Sequence, residues 1–256
     1  MYHEEYLSLA DTSEKKSRFL KQNPLGYCIA AMLAGLYVGL GIMLIYTAGG
    51  MLQDLPYGKI LMGVSFGIAL SLVIMAGAEL FTGNNLVMAA GLLRGKVTFG
   101  QTLKLWIVCF LGNWAGAVLL AVLFWASGLA EGKTASFIAH TAAGKMAALP
   151  VHLFFRGFLC NILVCLSTWC TYRCKSDSGK LIMIFWCLYC FITSGYEHGI
   201  ANMSLLAVGL LSPAGADVSV GGYLYNVLMV SAGNLCGAIA VLALPYYAIS
   251  RERAEA

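Results

Sequence analysis

Long apolar stretches dominate the chain, and short polar runs separate them. Six can be drawn, at roughly 25–49, 58–93, 105–129, 150–172, 181–211 and 222–250. A straight membrane span needs about 20 apolar residues, so four of the six fit one tilted helix each. The second, at 36 residues, is too long for one straight helix and too short for two. Its apolar pattern breaks at Glu79 and resumes after Asn85, and the fifth stretch breaks at Glu197-His198 and resumes after Gly199. The pattern predicts an all-α membrane protein of six spans, with spans two and five broken. Residues 1–24 read as a polar N-terminal segment, 25–250 as one transmembrane domain and 251–256 as a tail. The first apolar stretch is long enough to span, so it reads as a retained helix rather than a cleaved signal. Residues 4–21 fit either a short amphipathic helix on the membrane surface or an unstructured tail.

The chain also contains itself twice. Gly77-Ala78-Glu79-Leu80-Phe81-Thr82-Gly83-Asn84 and Gly195-Tyr196-Glu197-His198-Gly199-Ile200-Ala201-Asn202 both fit G-x-E-x-x-x-x-N, 118 residues apart. Gly112-Asn113-Trp114-Ala115-Gly116-Ala117 matches Gly233-Asn234-Leu235-Cys236-Gly237-Ala238 as G-N-x-x-G-A, offset by 121. Each copy holds three spans, at about 25–130 and 150–250. Three is odd, so the second copy enters the membrane from the opposite side. The expectation is an inverted 3+3 repeat, an arrangement that places the functional site near the midplane where the halves meet.

Composition agrees and narrows the class. The chain is 60% hydrophobic and 11% charged, against about 25% charged in soluble domains. Twelve Lys and Arg residues fall at one set of span ends and three at the other, with Arg156 set aside at the start of span four. The positive-inside rule makes the first set cytoplasmic, with both termini inside. Topology therefore accounts for the net charge of +4, and no nucleic-acid partner is implied. Eight of nine cysteines lie in apolar stretches, where a free thiol packs as a small hydrophobe. No metal or cofactor is expected. Gly35–Gly39, Gly112–Gly116 and Gly233–Gly237 have the GxxxG spacing of close helix packing, within or between subunits.

The candidate chemistry sits at the breaks. Non-helical backbone at membrane depth survives only inside protein or beside a water-filled cavity. Half-helices beginning at the midplane would direct two positive dipole ends there, which suits a monovalent anion that binds briefly and leaves. Glu79 and Glu197 occupy equivalent positions and are expected to accept hydrogen bonds from freed backbone N–H groups, with a proton relay as the other reading. Asn84 and Asn202 are expected to cap the following half-helices. Asn113, Asn161 and Asn234 could pin the broken segments. His198 has Leu80 as its repeat partner and so breaks the symmetry. Its near-neutral intrinsic pKa allows proton exchange, and a histidine satisfied within a polar network is the other reading. Thr82 could donate to an anion, to His198 or to local backbone.

These residues resemble the formate/nitrite transporter family, through Glu79-Leu80-Phe81-Thr82, Glu197-His198-Gly199-Ile200-Ala201-Asn202-Met203, the two G-N-x-x-G-A segments and the six-span pattern. The resemblance implies an aquaporin-like fold assembled as a homopentamer in the cell (inner) membrane, with one pore per protomer. It implies a substrate among formate, nitrite, hydrosulfide and related monoanions. Thr82 and His198 map to the pore centre, and Phe66, Leu70, Leu80 and Phe191 to apolar constrictions. Asn161 and Asn234 map to polar pore lining, and Lys145 to the outer mouth, where it would steer anions. After the threonine the chain reads Gly83-Asn84-Asn85 where formate channels carry small hydroxyl residues, and it looks more like the hydrosulfide branch.

Two other functions are weighed against an anion channel. An aquaporin-type channel for neutral solutes fits the inverted repeat, but no Asn-Pro-Ala motif is present. An intramembrane enzyme would need a zinc motif or a nucleophile–base pair at recognisable spacing, and the chain has neither.

Overall fold

The computed structural model describes residues 2–251, and within them the chain is helical throughout, with no strand. Of the expected tail at 251–256, everything beyond Arg251 lies outside the described residues, as does Arg253 from the charge count.

Helix α1 (His3–Gln22) lies before the first span. Helix α2 (Pro24–Leu52) starts with Pro24, whose missing N–H costs nothing in a first turn, and Asn23 accepts from Gly26 N–H at 2.9 Å. The second span is built from α3 (Gly58–Ser65) and α4 (Gly67–Leu72), a wider π turn at Val73–Gly77, an extended link, and α5 (Phe81–Leu93). Helix α6 (Phe99–Ala126) opens with a reciprocal capping box between Thr98 and Gln101. The second half follows as α7 (Gly132–Met146), α8 (Pro150–Arg173), α9 (Asp177–Ser194), α10 (Gly199–Leu211) and α11 (Val220–Gly237). The last span runs from α11 through a π stretch at Ala238–Ala243 into α12 (Leu244–Ser250). The expected six spans are all present, and α9 and α10 meet at 53° across the fifth-span break.

The repeat is longer than its two motifs suggested. Helix α7 fell between the expected repeats, yet in the second half it holds the place that α1 holds in the first. Thr12 and Thr141 each return a hydroxyl hydrogen bond to the carbonyl four residues back, Ser8 and Phe137, at 2.9 and 2.7 Å. Lys16 and Lys145 follow each threonine by four residues, and each pairs with the glutamate of its own half. The equivalent units are therefore α1–α6 and α7–α12.

Helix α1 is docked rather than loose on a surface. Tyr6, Leu9, Ala10 and Ser13 are fully buried, and Tyr6 Oη donates to Ala243 O at 3.1 Å. Lys96–Asp11 and Arg173–Glu5 add ion pairs at 2.7 and 3.0 Å. Exposed pairs of this kind are screened by solvent and contribute little. Burying Leu9 alone contributes roughly 1.5–3 kcal/mol, so packing, not charge, carries the docking.

Within lipid there is no hydrophobic drive between helices, so close backbone approach matters. A Cβ at Gly116 would collide with Met32 O, and one at Gly237 with Phe158 O. The small-residue motifs thus bring α2 against α6 and α8 against α11 inside one protomer. Outward-facing Leu40, Leu44, Ile107, Leu111 and Leu228 are exposed, as expected of a surface that meets lipid or another subunit.

Candidate functional site

Each break begins with a glycine in the left-handed region, Gly77 at φ 81° and Gly195 at φ 79°, where a side chain would be strained. The chain then runs extended to Leu80 in one half and His198 in the other. Extended backbone here leaves polar groups unpaired in a low-dielectric setting, and an asparagine clamp answers this in each half. Asn113 Oδ1 accepts the first N–H of α5, from Phe81, at 2.9 Å. Its Nδ2 donates to Ala31 O at 2.7 Å and Glu79 O at 2.8 Å. Asn234 repeats this with Gly199 N–H at 2.9 Å, Gly157 O at 2.7 Å and Glu197 O at 3.0 Å. The glutamate N–H groups close the set, onto Ala30 O at 3.1 Å and Arg156 O at 3.2 Å.

The clamps correct two expectations. Asn84 and Asn202 are not caps: they sit inside the first turns of α5 and α10, and their amides donate to Glu79 and Glu197 at 2.9 and 2.7 Å. The glutamates accept from side chains, not from freed backbone, because the clamps have already taken those N–H groups. Glu79 accepts from Lys16 at 2.6 Å and Tyr27 at 3.3 Å, and Glu197 from Lys145. Lys145 is therefore an ion-pair partner, not a free ammonium at the mouth. Asn161 and Asn234 lie beside the Thr82 backbone at the meeting of the two breaks. Both are fully buried, and Asn161 Nδ2 donates to Thr82 O at 3.3 Å and Asn234 O at 2.8 Å.

Thr82 and His198, 116 residues apart, come together where the two half-helices meet, with Oγ1 and Nε2 at 2.9 Å. His198 is also the cap of α10, since its Nδ1 accepts from Ala201 N–H at 3.1 Å. A nitrogen that accepts carries no proton, so the neutral ring bears its hydrogen on Nε2 and donates it to Thr82. An imidazolium would have to give up the cap. The Thr82 hydroxyl hydrogen makes no other bond among the described residues.

Apolar side chains close the route on both sides of this pair. A void of about 10 Å³, at the limit for a single water, is lined by Phe66, Leu70, Leu80, Val164, Leu188, Phe191 and His198. Phe66 and Phe191 meet edge-on at 5.5 Å between centroids, and Phe191 stacks on His198 at 6.1 Å. Leu70 and Leu80 also floor a vestibule of about 570 Å³ that opens on the face bearing the termini, beside Lys16, Glu79 and Asn84. A cavity of about 370 Å³ opens on the other face, lined by Tyr46, Lys59, Phe137 and Thr141. All four expected constriction residues thus bound the closed centre.

The sequence reading missed Lys16 and the capping role of His198. A signal for Lys16 existed, because Thr12-Ser13-Glu14-Lys15-Lys16 and Thr141-Ala142-Ala143-Gly144-Lys145 share T-x-x-x-K.

The sequence and fold have close counterparts among known proteins. A model described as formate/nitrite transporter matches residues 3–248. The nitrite transporter NirC of Escherichia coli is 39% identical over 239 residues, covering 93% of this chain and 88% of NirC. A solved structure titled FNT family ion channel superposes with a TM-score of 0.93 at 37% identity, over 97% of this chain and 99% of that one. A pentameric formate channel with formate bound gives a TM-score of 0.78 at 26% identity, over 90% and 98% of the two chains.

Proposed function

The chain belongs to the formate/nitrite transporter family, and we propose that it passes a small monovalent anion through the Thr82–His198 site. It is a membrane channel of that family, not an enzyme. The observation that carries the reading is the Thr82–His198 contact, held between two apolar closures at the start of both half-helices. An anion reaching that point meets the Thr82 hydroxyl and the positive ends of two half-helix dipoles. No full cationic charge stands there to trap it.

Crossing the leucine or phenylalanine closure as a bare anion carries a large desolvation cost. A proton taken from His198 makes the anion a neutral acid for that passage. Protonation of Nδ1 displaces the Ala201 N–H, and passing that proton to a weakly basic anion restores the cap. One anion and one proton then cross together, and His198 is reloaded from the vestibule the anion entered.

Nitrite leads among the substrates because a relative at 39% identity is a nitrite transporter, and formate follows from a structural relative titled as a formate channel. Hydrosulfide, favoured by the Gly83-Asn84-Asn85 departure, is the third arm of the test. The pentameric relative supports a homopentamer with one pore per protomer. The lysine and arginine distribution supports an inner-membrane orientation with both termini cytoplasmic.

The test is flux of nitrite, formate and hydrosulfide into proteoliposomes, with His198→Asn alongside. The reading expects saturable flux that rises with acidity in the wild type, and slower, pH-insensitive flux in the variant. Unchanged rate and pH dependence in His198→Asn would remove the proton role. Swelling with a neutral polyol but none with the anions would favour the aquaporin-type alternative.

A further inference from the structure

We propose that Arg156 receives the anion in the vestibule opposite the termini and favours anions with two oxygens over hydrosulfide. This rests on the channel reading above.

Arg156 is an exposed arginine within a membrane span. It lies six residues into α8, roughly 9 Å from the Pro150 end. Its backbone marks its depth: Arg156 O accepts Glu197 N–H at the break itself. The repeat then gives its setting. Ala30 O accepts Glu79 N–H in the same way, so Ala30 is the counterpart of Arg156. Ala30 lines the vestibule on the terminal face, beside Lys16 and Glu79. By the same inversion Arg156 takes the corresponding position on the opposite side of the membrane, at the break that carries Glu197 and its partner Lys145.

Charge makes the position consequential. Lys145 is neutralised by Glu197, as Lys16 is by Glu79. Arg156 makes no ion pair or side-chain hydrogen bond among the described residues. An unpaired guanidinium facing hydrocarbon is costly, which itself argues for a water-filled vestibule. Lys59 borders the outer cavity from the first turn of α3, and its ammonium reaches the break, where a Cβ on Gly195 would stand 3.0 Å from it. Arg156 and Lys59 are thus the cations on this side of the break that no ion pair neutralises among the described residues. The terminal-face vestibule has alanine there, so the two mouths differ in the strength of anion capture. A guanidinium offers two parallel N–H donors, which match the two oxygens of nitrite or formate. Hydrosulfide, with one sulfur, gains the charge but not the fork.

The experiment measures concentration-dependent flux of nitrite, formate and hydrosulfide in proteoliposomes of wild type, Arg156→Ala and Arg156→Lys, with pentamer integrity checked by size exclusion. In Arg156→Ala, half-saturation for nitrite and formate should rise roughly tenfold, the equivalent of one charge-assisted hydrogen bond. Hydrosulfide should shift much less, and maximal rates should hold. Arg156→Lys should keep general anion capture and lose the preference for two-oxygen anions. Equal shifts for all three anions, or none, would overturn the inference while leaving the channel reading intact. A changed pentamer with unchanged half-saturation would assign Arg156 to subunit contact and overturn it too. If Arg156→Ala does not assemble, Arg156→Lys decides, because unaltered preference there contradicts the fork. Absence of flux in the wild type would instead defeat the channel reading.

Discussion

At the first break Leu80 turns an apolar side chain onto the closed centre. At the second, His198 stands in the same place, caps α10 and reaches Thr82. Around these two positions almost everything is shared: a left-handed glycine, a glutamate tied to a lysine and an asparagine, and an asparagine clamp from a neighbouring helix. The shared parts all satisfy backbone or neutralise charge. The part that differs is a titratable group at the closed centre. Symmetry builds the scaffold, and the departure from symmetry is where the proposed chemistry is placed.

The comparison can be broken most severely at the clamps. Asn234→Ala would leave Gly199 N–H and Glu197 O without their partner, while Gly157 O keeps its place in the α8 ladder. Each buried group so orphaned costs about 1–3 kcal/mol, so loss of the assembled protein in detergent is expected. Asn113→Ala should do the same in the first half. A well-folded Asn113→Ala beside an unfolded Asn234→Ala would mean that the halves are not equivalent scaffolds. Thermal melting with size exclusion measures both.

The ion pairs come next. Removing one partner of a buried pair costs about 3–5 kcal/mol, and removing both is often neutral. Side-chain exposure is 17% and 5% for Lys145 and Glu197, against 20% and 13% for Lys16 and Glu79. Lys145→Met should therefore lower the melting temperature more than Lys16→Met. Lys145→Met with Glu197→Gln should recover most of the loss. If the double variant is no better than the single, the pair does more than neutralise charge.

The smallest expected effect sharpens the difference itself. Thr82→Val keeps shape and removes the hydroxyl between His198 and the anion. Flux should fall by roughly tenfold, one hydrogen bond to a charged group, with the fold intact. A loss of stability instead would make the Thr82–His198 contact structural.

Much of this was legible in the chain. Span length betrayed the two breaks, and the G-x-E-x-x-x-x-N repeat announced the inversion. Leu80 against His198 was visible as a mismatch in that repeat. The errors came from donors and acceptors that sequence spacing does not order. Asn84 and Asn202 precede apolar helices as caps do, but their amides are turned to the glutamates because the clamps, 29 and 32 residues further along, hold the N–H groups first. Lys16 lies 63 residues from Glu79, on a helix whose polar composition suggested a surface segment or a tail. Helix α7 was overlooked because it is too polar for a span and was absorbed into a loop.

The most direct test of the central claim is proton-coupled nitrite flux in His198→Leu, which gives the second break the residue of the first. The account predicts an assembled protein whose flux falls by roughly 10²-fold, the low end for a lost positioned proton donor, with its pH dependence abolished. Wild-type flux with wild-type pH dependence in that variant would contradict it.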